Sequence, residues 1–431
     1  MASLPEDPLQ GGSLADFARR LRRGETSAES ATRAYLERIA LLGRVNAFVH
    51  VAADRALEQA RAMDRLLAAG TDLGPLMGVP VAVKDLLTVE GMPTPACGSR
   101  VDVAELVQPE GEFVRRLKRA GCVILGKTRM TEFAFGLVNL THPTPWNPAD
   151  PAVHRMTGGS SNGSAAALAA GLCAFSIGSD TGGSVRQPAA LCGLFGYKGT
   201  YGLWPTDGAF PLSTTMDSLG AFTHSAQDGA IVCSVLTPGE ARCPTPVKGL
   251  RLGRPTNHFF DGLSREVEEA TGEALAKLAS AGAQIVPVEV PEAGEIDPVF
   301  GPIVSIELLA TLGRERFVAA REALDPIVWN RAQPMLDFPA VEYARLLARH
   351  RALIRIAAER MRGLDGWVTP TAPEVAPPLD DYRTPEKAAA WIRRHTHNTR
   401  PGNLFGQCAV SIALPGTRLP VGLQVAAAPG D

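Results

Sequence analysis

Two glycine-serine clusters stand close together in this chain: MTGGSSNGSAAALAAG at 156–171 and SIGSDTGGSVRQPAALCG at 176–193. Glycine is costly to order, so a Gly-Gly pair marks backbone that must bend sharply or approach something closely. Each pair here is followed by serine, and an alanine-rich stretch lies between them. The pattern points to a site built from main chain and hydroxyls.

The scaffold around it is legible from hydrophobic patterning. GVPVAV (78–83), CVIL (122–125) and CAFSIG (173–178) are short apolar runs bounded by glycine or polar residues, as buried strands are. Helix-like segments, EFVRRLKRAG and SAAALAAG, lie between them. Strands alternating with helices imply an α/β core with a largely buried sheet. A further strand-helix-strand unit follows: GLRLG, a helix carrying Val267, Thr271, Ala274 and Leu278, then AQIVPVEV.

Residues 1–75 read as helices. Leu14, Phe17 and Leu21 keep helical spacing behind a Ser13 cap. Tyr35, Ile39 and Leu42 follow Thr26, with Glu29 completing a capping box. Ala53, Ala56, Ala60, Met63 and Leu67 form a third stripe, stopped by Gly70. Residues 290–400 read as a mostly helical insertion, with GWVTPTAP (366–373) and then AVSIALP (409–415) returning to strand character. No linker or composition break separates these parts. The expectation is one domain over 1–431, its core at 76–240.

Composition excludes several function classes. The chain has 431 residues, 45% hydrophobic and 20% charged, an ordinary globular balance. A net charge of −2 gives no reason to expect nucleic acid or an anionic membrane as partner. No apolar run is long enough to span a bilayer. MASLPEDPLQ lacks the basic-then-apolar pattern of a signal peptide, so the cytoplasm is the expected compartment. The cysteines at 97, 122, 173, 192, 233, 243 and 408 form no CxxC pair and read as reduced core thiols, with no metal site. The HTH at 395–397 sits in a polar, basic stretch and reads as solvated surface.

Three segments carry residues with chemistry. Lys84 ends the apolar run GVPVAVKD, and burying an ammonium is expensive. Either it pairs with Asp85 or snorkels to solvent, or burial depresses its pKa and makes it a general base. Ser184 follows Gly182 and Gly183 in a turn whose N–H groups can converge on an oxyanion, and Asp180 and Arg186 flank that turn as a bracing pair. Gly159-Ser160-Ser161-Asn162-Gly163 also matches G-x-S-x-G, which would make Ser161 a nucleophile. That motif follows a buried strand, and PAVHRM is poor strand material. The lysine of a phosphate-binding loop is missing.

Taken together, GVPVAVKD, GGSSNGSAAALAAG and GSDTGGSVRQPAALCG strongly resemble the amidase signature enzymes. GKTRMTEFAFG, YKGTYG, TTMDSLGAF, VTPTAP and LPVGLQV look like that family's later blocks. The resemblance covers roughly residue 13 to the C-terminus. It implies an amidase-signature α/β fold, a central mixed β-sheet covered on both faces by α-helices. It also implies a Ser-cisSer-Lys triad: Lys84 as general base, Ser160 as bridging serine after a cis Gly159–Ser160 bond, and Ser184 as nucleophile. The amides of Thr181, Gly182, Gly183 and Ser184 fall on the oxyanion hole, and Met130, Gly158 and Gly159 on substrate-binding positions. No metal or organic cofactor is implied.

The implied reaction is hydrolysis of a small-molecule carboxylic amide through an acyl-enzyme. A glutaminase subunit of a tRNA-dependent amidotransferase would use the same triad, and a non-catalytic binding protein could keep the scaffold. The expected partners are the substrate and, as one assembly, a second copy of the chain. Asn162 stands where the family usually has Gly or Ser, and Gly199 where KPT is usual; relatives commonly continue with a further helix beyond AAAPGD. Phe133, Phe135, Trp146, Trp204 and Phe210 lie near these blocks and suggest an apolar acyl pocket.

Overall fold

A single mixed sheet of eleven strands runs through the computed structural model, which describes residues 4–237, 239 and 246–430. The strands are β1 (Phe48–Val51), β2 (Pro80–Lys84), β3 (Val123–Thr128), β4 (Phe175–Asp180), β5 (Phe195–Lys198), β6 (Ser218–Thr223), β7 (Arg251–Pro255), β8 (Gln284–Val288), β9 (Gly366–Pro370), β10 (Cys408–Ala413) and β11 (Gly422–Ala427). Their order across the sheet is β1-β3-β2-β4-β6-β5-β10-β11-β9-β7-β8. β2 runs parallel to both β3 and β4. From β4 through β9 each neighbour is antiparallel, and β9-β7-β8 is again parallel.

The expected strands at 78–83, 122–125 and 173–178 are β2, β3 and β4. Every residue of the three is buried, so both faces are covered. A continuous apolar run is the pattern such strands need. β9 is the strand expected from GWVTPTAP at 366–373 and belongs to the central sheet, while the edge strand β1 lies within the expected N-terminal helices.

The first helix, Leu14–Arg22, has the expected Ser13 cap, with Asp16 closing a capping box. The second, Ala28–Leu41, is capped by Ser27 rather than Thr26, and its box partner is Ser30 rather than Glu29. That frame lets Asp64 accept hydrogen bonds from the Ala28 and Glu29 amides (2.8 and 3.0 Å) while Glu29 faces Arg33 and Arg61 outside. Helix Asn162–Ala169 has its first seven residues buried. Its alanines let it pack close to β4, which fixes the spacing of the two glycine-serine turns.

Cys97, Cys122, Cys173 and Cys192 are buried thiols, Cys233 is half-buried, and the Cys408 thiol donates to the Ala428 carbonyl (3.3 Å). Cys243 lies outside the described residues. Among the described residues no helix is long and apolar enough to cross a membrane, and no group of three or more His, Cys, Asp or Glu side chains could hold a metal ion.

Candidate active site

Lys84 is the last residue of β2 and Asp180 the last of β4. These ends of parallel strands are where α/β sheets offer binding crevices. The register Val83↔Ile177 puts Lys84 level with Gly178, one residue before Ser179. Lys84 is fully buried. Its Nζ donates to Ser160 Oγ at 2.6 Å and to Ser179 Oγ at 2.8 Å. Asp85 does not pair with it: that carboxylate turns to Lys127 at 2.8 Å. Burial lowers the Lys84 pKa to about 7, against the opposing pull of the Asp217 and Asp180 charges.

The Gly159–Ser160 peptide bond is cis, as the resemblance implies. The Ser160 carbonyl accepts from the Thr131 amide (3.1 Å), and the Gly159 amide donates to Gln187 Oε1 (3.1 Å). A side chain on Gly159 would put its Cβ 2.6 Å from the Leu137 carbonyl oxygen. One on Gly158 would run into Gln187. Both glycines are there for backbone approach.

Ser161, the rival nucleophile, is fully buried. Its hydroxyl donates to the Ser179 carbonyl and accepts from the Ser179 amide, both at 3.2 Å. It stitches the turn to β4. Asn162 Oδ1 accepts from the Gly163 amide (2.8 Å) at the start of the helix.

The second turn is braced from beneath. Asp180 and Arg186 form a fully buried ion pair at 2.8 Å. Burial alone would raise the Asp180 pKa, but the Arg186 charge and hydrogen bonds overcome it and hold the carboxyl well below its ordinary value. Asp180 also accepts from the amides of Gly183, Val185 and Arg186. Arg186 reaches on to Asn403 Oδ1 (2.6 Å) and Gln424 Oε1 (2.7 Å). Gly183 sits at φ +122°, and a Cβ there would lie 2.0 Å from Thr399 Oγ1.

The Gly183 amide is therefore already engaged, at 2.8 Å, by Asp180. This narrows the expected oxyanion set. The amides of Thr181, Gly182 and Ser184 donate to no described residue. The Ser184 hydroxyl likewise has no hydrogen-bond partner among the described residues, and none joins it to the Ser160 hydroxyl. What links the two turns is the Ser161 amide donating to the Ser184 carbonyl (3.4 Å).

Ser184, Thr181 and Gly182 line a small cavity of about 30 Å³ with Phe135, Leu137, Phe300, Val304, Ile392, Arg331 and Arg400 among its walls. A larger cavity of about 260 Å³ shares Ala134, Thr181 and Leu212 with it and reaches Ser179 and Asp217. Met130 lines neither; it is buried and faces a separate cavity beside Asp85 and Lys127. Of the five aromatics, Phe135 lines the Ser184 cavity and Phe210 the larger one. Phe133 stacks on Phe210 at 5.3 Å, Trp204 packs on Phe113 at 5.0 Å, and Trp146 stacks on His154 at 4.5 Å.

The family model for Amidase matches residues 30–431. The chain belongs to the Amidase family. It is 40% identical over 428 residues to the 2-amino-5-chloromuconic acid deaminase of Comamonas testosteroni, covering 97% of this chain and 92% of that one. It is 36% identical over 453 residues to the A-type subunit of the glutamyl-tRNA(Gln) amidotransferase of Moorella thermoacetica, covering 95% and 91%. A solved amidase structure superposes with a TM-score of 0.88 at 30% identity, covering 97% and 96% of the two chains.

In this member of the Amidase family several site residues lie outside what the motifs announced. Ser179 is the second acceptor of Lys84. Asp217, from the TTMDSLGAF block, accepts from Thr181 Oγ1 (2.5 Å) and from the Leu212 and Ser213 amides (2.9 Å each). Burial raises its pKa to about 6. The HTH segment is not solvated surface: His395 is fully buried, its Nε2 2.7 Å from Glu374 Oε1. Its Nδ1 lies 3.5 Å from Gln187 Nε2, behind the residue that holds Gly159. The helix Pro385–Thr396 turns Ala388, Trp391, Ile392 and His395 inward, and that helical spacing was the available signal.

Proposed function

We propose that the chain hydrolyses the C–N bond of a small carboxylic amide through an acyl-enzyme on Ser184. The observation that carries this reading is a buried lysine whose partners are hydroxyls, one of them Ser160, and not a carboxylate. Neutral Lys84 takes a proton from Ser160 as Ser160 takes one from Ser184. Ser184 Oγ attacks the carbonyl carbon, and the oxyanion is received by the N–H groups of Thr181, Gly182 and Ser184. The relay then runs backwards: Ser160 hands a proton to the departing nitrogen and recovers one from Lys84. The C–N bond breaks and ammonia or an amine leaves. Water adds to the ester by the same relay, and the carboxylic acid is released with Ser184 restored.

The test is covalent labelling. A fluorophosphonate or activated-carbonyl probe is expected to modify Ser184, with labelling lost in Ser184→Ala and strongly slowed in Lys84→Ala. Modification of Ser161 instead, or labelling indifferent to Lys84, would sink the relay.

A second reading, the glutaminase subunit of an amidotransferase, is favoured by the relatives that carry the amidotransferase name. Turnover of simple amides by the isolated chain supports the first reading. Turnover of glutamine only in the presence of a partner supports the second.

A further inference from the structure

The cavity beside Asp85 and Lys127 has a volume of about 250 Å³ and shares no lining residue with the two cavities at the Ser184 turn. β3 and the residue after it supply its charged wall. Lys127 and Arg129 stand two apart on extended chain, so their side chains take the same face. The register His50↔Lys127 puts His50 of the edge strand opposite them. Asn139 and His142 close the cavity from a neighbouring loop.

The charges here do not balance. Lys127 and Asp85 are matched at 2.8 Å, and that carboxylate is the one acidic side chain in the lining. The Ala96 amide engages it a second time (3.1 Å). Arg129 is left over. It is half-buried, and it uses its Nε on Asn46 Oδ1 (2.8 Å). No carboxylate pairs with it among the described residues, and its two terminal nitrogens have no described acceptor. Lys127 donates to Asp85 and to the Pro93 carbonyl (3.1 Å), which leaves one N–H of its three. Asn139 Nδ2 donates to the Met130 carbonyl (3.2 Å) and keeps a second N–H. His142 feels the same excess of positive charge. Its buried Nε2 has no partner among the described residues, and burial, then the Arg100 and Arg129 charges, lower its pKa.

A metal ion is a poor match, because two cations already face this space. An apolar ligand would cover the open donors without satisfying them. An oxyanion answers both the charge and the donors, and a guanidinium fork fits a carboxylate or a phosphate in shape. We infer that this cavity is a second ligand site, which takes a small oxyanion, carboxylate or phosphate, against Arg129, with Lys127 and Asn139 as further donors. This goes beyond the amide-hydrolase reading and does not depend on it. The site touches the frame of the relay at two points. Asp85 follows Lys84 in the chain, and the Arg129 carbonyl accepts from the Gly163 amide (3.1 Å), just past the Ser160 turn. A ligand here would sit close to Lys84 without entering the Ser184 cavity.

Calorimetry on the full chain tests the site, with inorganic phosphate and with succinate in separate titrations at low ionic strength. Binding of at least one of them tighter than about 1 mM is expected, and the anion that binds names the class of ligand. Arg129→Gln should weaken that binding by about 10-fold or more, the scale of a hydrogen bond to a charged group. Arg129→Lys, which keeps the charge without the fork, should recover part of the loss. Arg331→Gln is the control, because the Ser184 cavity also carries arginines; it should leave the affinity unchanged. A wild type that binds neither anion overturns the inference. So does an affinity that survives Arg129→Gln, or one that falls in Arg331→Gln instead. Histidine-ring NMR on the wild type gives an answer that needs no folded Arg129 variant. The His142 ring signals should move when the anion is added, and a bound anion that leaves them unmoved overturns the inference as well.

Discussion

The ends of β2 and β3 lie side by side in parallel register, and each brings a buried lysine into the same layer of the molecule. Lys127 on β3 pairs with Asp85 at 2.8 Å and donates to the Pro93 carbonyl. Lys84 on β2 has the hydroxyls of Ser160 and Ser179. Burial is nearly identical, yet the two sites differ in kind. At Lys127 a carboxylate compensates the charge, which makes a structural ion pair. At Lys84 nothing adjacent does, and burial brings its pKa to about 7, where an amine can exchange protons with a serine. Lys198 sharpens the point. Burial lowers its pKa too, to about 8, but its partners are the Gly199 and Gln407 carbonyls, which have no proton to give. A relay needs both a depressed pKa and a hydroxyl neighbour.

The largest effect expected from this comparison is at Lys84. Lys84→Ala should lower kcat/KM for amide hydrolysis by about 10³-fold or more, with a melting temperature near that of the wild type. Near-normal turnover would make the two lysines equivalent and remove the contrast.

At Lys127 the loss should be one of stability. Lys127→Met leaves Asp85 buried without its partner and should cost about 3–5 kcal/mol in denaturant unfolding. The double change Lys127→Met with Asp85→Leu should recover most of that. A single variant as stable as the wild type would mean that the pair compensates nothing.

The smallest effects concern pH. The proposed relay requires neutral Lys84, so activity should rise with pH through about 7 and level off above it. Ser179 accepts a hydrogen bond from Lys84, which favours the ammonium form. Ser179→Ala should therefore move the acid limb to lower pH, with only a few-fold change in the plateau rate. An unmoved limb would show that Ser179 does not sense the charge on Lys84.

The strands most readable in the sequence were those buried on both faces by branched residues, such as PVAVK. β6 escaped notice because SLGAFT is a buried central strand of mostly small and polar residues. The reason is close approach: a Cβ on Gly220 would lie 2.3 Å from the Tyr197 carbonyl oxygen on β5. Hydrophobic patterning does not register such a strand. The Lys84, Ser160 and Ser184 positions were readable because each sits in a short run of unusual composition. Arg331 and Arg400 were not, since they reach the site from helices with no motif of their own. Met130 shows the opposite failure: its neighbour Thr131 touches Ser160, while Met130 itself faces another cavity.

Arg186 has a consequence for how the protein is made. Two of its acceptors, Asn403 and Gln424, lie 217 and 238 residues further along the chain. β5, which follows the Ser184 turn, waits for β10 to cover its edge. A ribosome therefore delivers Ser184 long before the groups that fasten its turn. Through most of synthesis Ser184 would hang on a loop whose bracing arginine has only Asp180 to hold. On the proposed mechanism, reactivity would arrive only with β10 and β11, which join the two halves of the sheet, so that a half-made chain carries the serine without the chemistry.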